Sequence, residues 1–271
     1  MRRRLVPLLI LAFCAGPVIA QPVDTTKIST APLFTRSDAF IAAGFAVATF
    51  AAAPLDKAFA ERMRNVASKE SKFLDQSADF FNFMGSPGPV LIGPALYAAG
   101  RISGNKEMAD LGLHVSEAVA VGTIIITVGK GMVGRARPYQ DPDNPRNFKL
   151  NRGWKHEEYR SFPSGHSVAG FAAASAVTAE AARWWPRAKW YVGGAMYGGA
   201  GLIAATRMYA NKHWASDVLV GGAIGTFAGL KVVRYHHSHP NNRIDKWLLS
   251  GSVYPAQSGG MVFSWSVIPG R

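Results

Sequence analysis

Residues 161–186 read SFPSGHSVAGFAAASAVTAEAARWWP, and this stretch decides the architecture. From His166 to Arg183 it is dominated by alanine, the residue that forms helix at least cost. Pro186, behind Trp184 and Trp185, marks its end, because proline cannot continue a helix. Just before it, Ser164 and Gly165 open the helix. A helix this apolar cannot stand alone in water and calls for neighbours.

Working outward, similar patterns recur. Ala109 to Val133, Trp190 to Tyr209 and Ala215 to Val233 read as helices, the second with many glycines that permit close packing. Val90 to Ala99 is a shorter apolar segment behind the break Ser86-Pro87-Gly88-Pro89. Ser37 is a candidate cap for a helix from Asp38 to about Leu55, and Asp56 to Gln76 has the mixed charge of a solvated amphipathic helix. Arg135 to Arg160, rich in Pro, Asn and Asp, reads as a loop, and His236 to Asn242 as a polar break. Ser252-Val253-Tyr254 and Met261 to Val267, with Gly259-Gly260 between them, read as a hairpin. The expected fold is all-α, a bundle of about six helices with a small C-terminal β-hairpin. Expected boundaries are a signal peptide at 1–20, an extended lead-in at 21–36, a helical domain at 37–235, and the break and hairpin at 236–271.

The 271 residues suffice for one domain with a real core. With 48% hydrophobic and 17% charged residues, the chain is too apolar for disorder and too polar to be mostly lipid-facing. Its net charge of +13 points to an anionic partner. Basic charge without a nucleic-acid motif does not make a nucleic-acid binder, so none is expected. Arg2, Arg3 and Arg4, the apolar run Leu5 to Ala15 and the small residues up to Ala20 have the form of an export signal cut before Gln21. Cys14, the sole cysteine, lies inside it, so a disulfide framework is excluded and periplasmic export fits. Several helices approach spanning length, but Ala and Gly are weakly apolar, and Glu117, Glu180 and Arg183 interrupt them. A soluble or peripheral periplasmic bundle is therefore expected, with a membrane surface as a possible partner.

Three clusters carry chemistry. In Lys130-Gly-Met-Val-Gly-Arg-Ala-Arg137-Pro138, Lys130 and Arg137 could grip one anion, Arg137 as a two-pronged fork; cations at a helix C-terminus are also ordinary. In Ser161-Phe-Pro-Ser164-Gly165-His166-Ser167, Ser164 could donate its hydroxyl. There Gly165 would let backbone N–H groups approach an anion, and His166 could serve as a general acid; a plain cap followed by an incidental histidine is the blander alternative. In Thr206-Arg207-Met-Tyr-Ala-Asn-Lys-His213-Trp-Ala-Ser-Asp217, a carboxylate bonded to one ring nitrogen would free the other as a nucleophile, and Arg207 adds a third cation. A surface His–Asp pair would look the same.

Together, Lys130-x6-Arg137-Pro138, Pro163-Ser164-Gly165-His166 and Arg207-x5-His213-x3-Asp217 resemble the type 2 phosphatidic acid phosphatase superfamily, which includes class A acid phosphatases and vanadium haloperoxidases. Thr206 stands where that family commonly has Ser and keeps the hydroxyl. The resemblance implies a metal-independent phosphatase without cofactor, acting on phosphomonoesters or lipid (pyro)phosphates through a phosphohistidine. By the same resemblance His213 is the nucleophile and Asp217 its orienting partner. His166 is the acid and later the base, and Lys130, Arg137, Ser164, Gly165 and Arg207 cradle the phosphoryl oxygens. The expected partner is a phosphorylated lipid or a small organic phosphate. Two rivals share the residues: a vanadate-dependent haloperoxidase, and a non-catalytic envelope protein that retains the fold.

Blander readings suit the remaining histidines. His236-His237-Ser238-His239 reads as a solvated tail rather than a metal site, and His114 with Glu117 as a buried polar pair. Trp154, Lys155 and His156 either line the entrance or pack the loop.

Overall fold

The computed structural model describes residues 32–67, 71–239, 251–255 and 261–265. The signal, Cys14, most of the lead-in and the Gly259-Gly260 turn lie outside the described residues. Eight α-helices account for most of what is described: α1 (Arg36–Ala52), α2 (Asp56–Ala67), α3 (Lys72–Gly85), α4 (Gly88–Ser103), α5 (Lys106–Val133), α6 (Gly165–Trp184), α7 (Lys189–Tyr209) and α8 (Ala215–Ser238). The fold is all-α. Two short strands, β1 (Gly251–Pro255) and β2 (Met261–Trp265), pair antiparallel with Val253 opposite Phe263.

The count exceeds six for local reasons. The cap of α1 is Thr35, not Ser37: Asp38 accepts the Thr35 N–H at 2.7 Å, the carboxylate half of a capping box. Pro54 sits in a single 3₁₀ turn, Ala53–Leu55, that separates α1 from α2. The segment expected as one helix from Asp56 to Gln76 is broken, because Ser71 starts α3 by accepting the Leu74 N–H at 3.4 Å. At the other end α8 runs on to Ser238, taking His236 and His237 out of the expected polar break and into the bundle.

Helix α6 is the axis, packed against α5, α7 and α8. Its approach to α8 is set by Gly221, Gly225 and Gly229, which share one face of α8 at a four-residue spacing. A Cβ on each would lie 2.6, 2.3 and 2.6 Å from the Ser164, Val168 and Ala172 carbonyl oxygens, so only glycine lets the backbones come this close. Small residues fill the rest: Ala118, Val119, Ala172, Ala176 and Ala228 form the core. Each buries little area, so cohesion comes from backbone proximity and many dispersion contacts rather than bulky side chains.

Three helical stretches, Arg36–Ala67, Lys106–Val133 and Ala215–Ser238, are long and apolar enough to cross a membrane. The outer faces agree with this: Phe40 and Phe50 are each 79% exposed and Ile124 66%. The expectation of a soluble bundle therefore gives way to membrane association. The acids that argued against spanning point inward. Glu117 is bonded to His236, and Glu180 is bonded to His114 and His237 inside the bundle, so neither charge faces lipid unpaired.

Candidate active site

Helices α5 and α7 end, and α6 and α8 begin, at the same end of the bundle. The Ser164 N–H donates to the Asp217 carbonyl at 3.1 Å, joining the starts of α6 and α8. A Cβ on Gly165 would lie 3.8 Å from Lys130 Cε, which places the last turn of α5 beside them. Gly134, at φ 60°, stops α5 in the left-handed conformation and turns the chain into the loop 135–160. Trp214, fully buried, donates its Nε1–H to the Ala136 carbonyl at 2.9 Å and fixes that loop over the site.

Lys130, Arg137 and Arg207 each make one side-chain hydrogen bond. Lys130 Nζ donates to the Arg160 carbonyl at 2.7 Å. Arg137 donates Nη2 to the Glu157 carboxylate, and Arg207 donates Nη1 to the Asn82 side-chain oxygen of α3. The remaining capacity is the telling part. The Nε atoms of both Arg137 and Arg207 are buried with no hydrogen-bond partner. Buried donors of this kind are costly unless something negative meets them. Ser164 is buried, its hydroxyl accepting from Ser167 at 3.0 Å. As the α6 cap it makes no side-chain cap bond, so the first-turn amides from Gly165 onward are left for an anion.

His213 Nδ1 lies 2.6 Å from the Ser161 carbonyl oxygen. A carbonyl only accepts, so Nδ1 carries the proton and Nε2 the lone pair. Asp217 is not the direct partner of the ring; its nearest oxygen is 3.8 Å from Nδ1. The carboxylate instead accepts from Arg135 Nη1 at 2.5 Å, Ser161 Oγ at 2.5 Å and the Trp214 N–H at 2.9 Å. It therefore braces Ser161, and Ser161 holds the imidazole.

The remaining groups lie near enough for their charges to bear on one another. Burial pushes His166 down to about 4, and the charges of Arg207, Lys130 and Arg137 push the same way. Burial likewise holds His213 down to about 3; Asp217 opposes this, while Lys130 and Arg137 add to it. Arg137 also acts, behind burial, in lowering Arg207 to about 10. Both histidines are therefore neutral near pH 7, among cations whose charge is not fully balanced.

Several residues here went unread in the sequence. Arg135 bridges Asp217 and Asp56, the latter at 2.7 Å, and Asp56 accepts from the Ser216 N–H and hydroxyl at 2.9 and 2.6 Å. The available signal was an isolated acid among alanines at the start of α2, and the alternation Arg135-Ala136-Arg137. Nothing in the sequence pointed to Asn82 or to Glu157 as arginine partners. Trp154 lies across Gly131 of α5 and is half exposed.

Residues 111–240 match the PAP2 superfamily, and they contain every residue of the pocket except Asn82 and Asp56. The matched residues, a little under half of the chain, form a PAP2 superfamily domain. The chain is 33% identical over 118 residues to Lipid A 1-phosphatase of Porphyromonas gingivalis, a match covering 42% of the chain and 22% of that protein. The chain thus spans about a fifth of the length of that curated relative. In fold it is similar to a transmembrane PAP2 type phosphatidylglycerolphosphate phosphatase from Bacillus subtilis, with a TM-score of 0.57 and 18% identity over 77% of this chain and 99% of the other.

Proposed function

We propose that the protein is a membrane-associated, metal-independent phosphatase that cleaves phosphate from lipid phosphates or pyrophosphates through a phosphohistidine. The observation that carries this is the pair of buried, unpartnered Nε–H donors on Arg137 and Arg207, whose charges bear on His213 and His166 respectively, together with the Nε2 lone pair of His213. Phosphoryl transfer needs in-line attack and compensation of spread negative charge, and this pocket offers both.

In the first step His213 Nε2 attacks phosphorus and the bond to the leaving oxygen breaks, with His166 giving that oxygen a proton. In the second step His166 takes a proton from water. The water oxygen attacks phosphorus, the P–N bond breaks, and inorganic phosphate leaves with His213 neutral again. Throughout, Arg137, Arg207, Lys130, the Ser164 hydroxyl and the Gly165 amide hold the non-bridging oxygens. Three cations take the place that Mg²⁺ holds in other phosphoryl-transfer sites.

A lipid is favoured over a soluble phosphate by what lies beside His166. A Cβ on Gly85 would touch Ile203 Cγ2 at 2.6 Å and His166 Cδ2 at 3.0 Å. Ile203 and Met84 then line an apolar cavity of ≈ 240 Å³ with Phe80, Phe81, Ile92 and Leu96. An acyl chain lying there would leave its phosphate at His166. The relative and the structural neighbour are named for action on lipid A and phosphatidylglycerolphosphate, which agrees with this class. Export, the division at residues 20, 36 and 235, and the terminal hairpin as a separate unit belong to the same proposal.

The test is phosphate release by purified protein in detergent with EDTA, comparing phosphatidic acid, lipid pyrophosphates and p-nitrophenyl phosphate. Turnover of lipid phosphates well above the soluble ester supports the reading. Preference for the soluble ester would remove the lipid, and no release from any substrate would remove the phosphatase.

A further inference from the structure

At the opposite end of the same three helices lies a second polar cluster. His114 near the start of α5, Glu180 near the end of α6 and His237 at the end of α8 offer ligand atoms that lie within 4.8 Å of one another. From His166 to Glu180 along α6 is about 21 Å at the rise of an α-helix, so this cluster takes no part in the phosphate pocket. His114 Nδ1 and His237 Nε2 converge on one oxygen, Glu180 Oε1, at 2.6 and 2.8 Å. The other oxygen, Oε2, is buried and makes no hydrogen bond; the nearest cation, Arg183 Nε, is 4.0 Å away. Glu180 itself is 0% exposed.

We propose that His114, Glu180 and His237 bind a divalent transition ion of the zinc class, with water completing four-coordination. Two imidazoles and one carboxylate are a zinc donor set, and imidazole suits Zn²⁺, Cu²⁺ and Ni²⁺ far better than Mg²⁺ or Ca²⁺. The unbonded Oε2 is the converse of the unbonded arginine Nε atoms in the phosphate pocket: a buried acceptor without a donor wants a cation. Two ligands of one tetrahedral zinc sit about 3.3 Å apart. The ion therefore replaces the protons now shared with Oε1 and lengthens the two imidazole–carboxylate distances by about 0.5–0.7 Å. The half-buried His237, in the last turn of α8, can supply that movement and the way in.

The surroundings suit the ion. His236 lies against His114 with ring centroids 4.3 Å apart and the rings tilted, and binds Glu117 through Nε2. Glu117 and Glu180 together balance a charge of +2. Ligands from α5, α6 and α8 clamp the ends of these helices opposite the site, so the role is structural.

The experiment uses the full chain carrying no polyhistidine tag, stripped with a chelator and dialysed against micromolar ZnCl₂. Metal content by mass spectrometry and thermal unfolding are then read on wild type, His237→Ala, Glu180→Gln and His239→Ala. The expected result is one zinc per chain in wild type and His239→Ala, with Tm raised by about 5 °C, and no zinc and no shift in the other two. CoCl₂ on the wild-type chain gives a readout that needs no variant, the visible bands of four-coordinate Co²⁺. The proposal is overturned if wild type retains no zinc and shows no cobalt bands, or if His237→Ala still holds one equivalent.

Discussion

The imidazole of His213 is held by the backbone carbonyl of Ser161 at 2.6 Å, while Asp217, four residues further along, stays 3.8 Å from the same nitrogen. The tautomer that leaves Nε2 free to attack is thus set by main chain. The carboxylate acts on the scaffold, tying Arg135, Ser161 and Trp214 together.

Asp217→Asn should therefore cost more stability than its effect on the tautomer would suggest. It removes one partner of a buried ion pair with Arg135, and a loss of about 3 kcal/mol is expected. Denaturant unfolding in detergent measures it. The surviving fraction should keep His213 in its tautomer and retain turnover. A stable variant without any turnover would assign Asp217 the direct role instead.

Arg137→Lys and Arg207→Lys should each lower kcat/KM by roughly 10²–10³-fold, the size of effect seen when one preorganised charge donor is lost. Lysine keeps the charge but not the fork that meets Glu157 or Asn82 with one nitrogen and phosphate with another. Steady-state kinetics on a lipid phosphate decides this, and wild-type rates in both variants would remove the cradle.

The pH dependence follows from His166, lowered to about 4 in the free protein by burial and then by Arg207, Lys130 and Arg137. As the acid it must be protonated, so kcat/KM should fall as pH rises above that value. Bound phosphate cancels the neighbouring cations and raises the pKa. The basic limb of kcat should accordingly lie at higher pH than that of kcat/KM, once substrate ionisation is accounted for. Coincident limbs would mean His166 is not the acid.

Gly225→Val tests how the site is assembled. Its side chain would collide with the Val168 carbonyl and Ala172 backbone of α6, beginning at 2.3 Å. Overpacking of this kind costs roughly 1–3 kcal/mol. Because α6 carries His166 and α8 carries Asp217, turnover should fall with Tm; an unchanged Tm would show that the helices can separate freely.

How much of this could be read beforehand divides along physical lines. Helices α5 to α8 were legible because long apolar runs have few alternatives, and Gly134 and Pro186 mark the ends of α5 and α6. Lys130, Arg137, His166, Arg207, His213 and Asp217 could be singled out because their spacing is specific in combination, and their roles belong to the proposal above. What escaped was what depends on long-range contact. Asp56 meets Ser216 across 160 positions of chain, and Asn82 meets Arg207 across 125, and neither carries a local pattern. Membrane association was misjudged because Glu117 and Glu180 look like interruptions until their histidine partners are seen. His237 looked like tail because α8 outlasts its apolar run by a turn.

The most direct measurement is rapid acid-free quenching of the protein turning over a ³²P-labelled lipid phosphate, with the label mapped by peptide mass spectrometry. A base-stable, acid-labile phosphate on His213 is predicted, accumulating further in His166→Ala, where water attack lacks its base, and absent in His213→Ala along with turnover. Full turnover in His213→Ala, or label carried by any other residue, would contradict it.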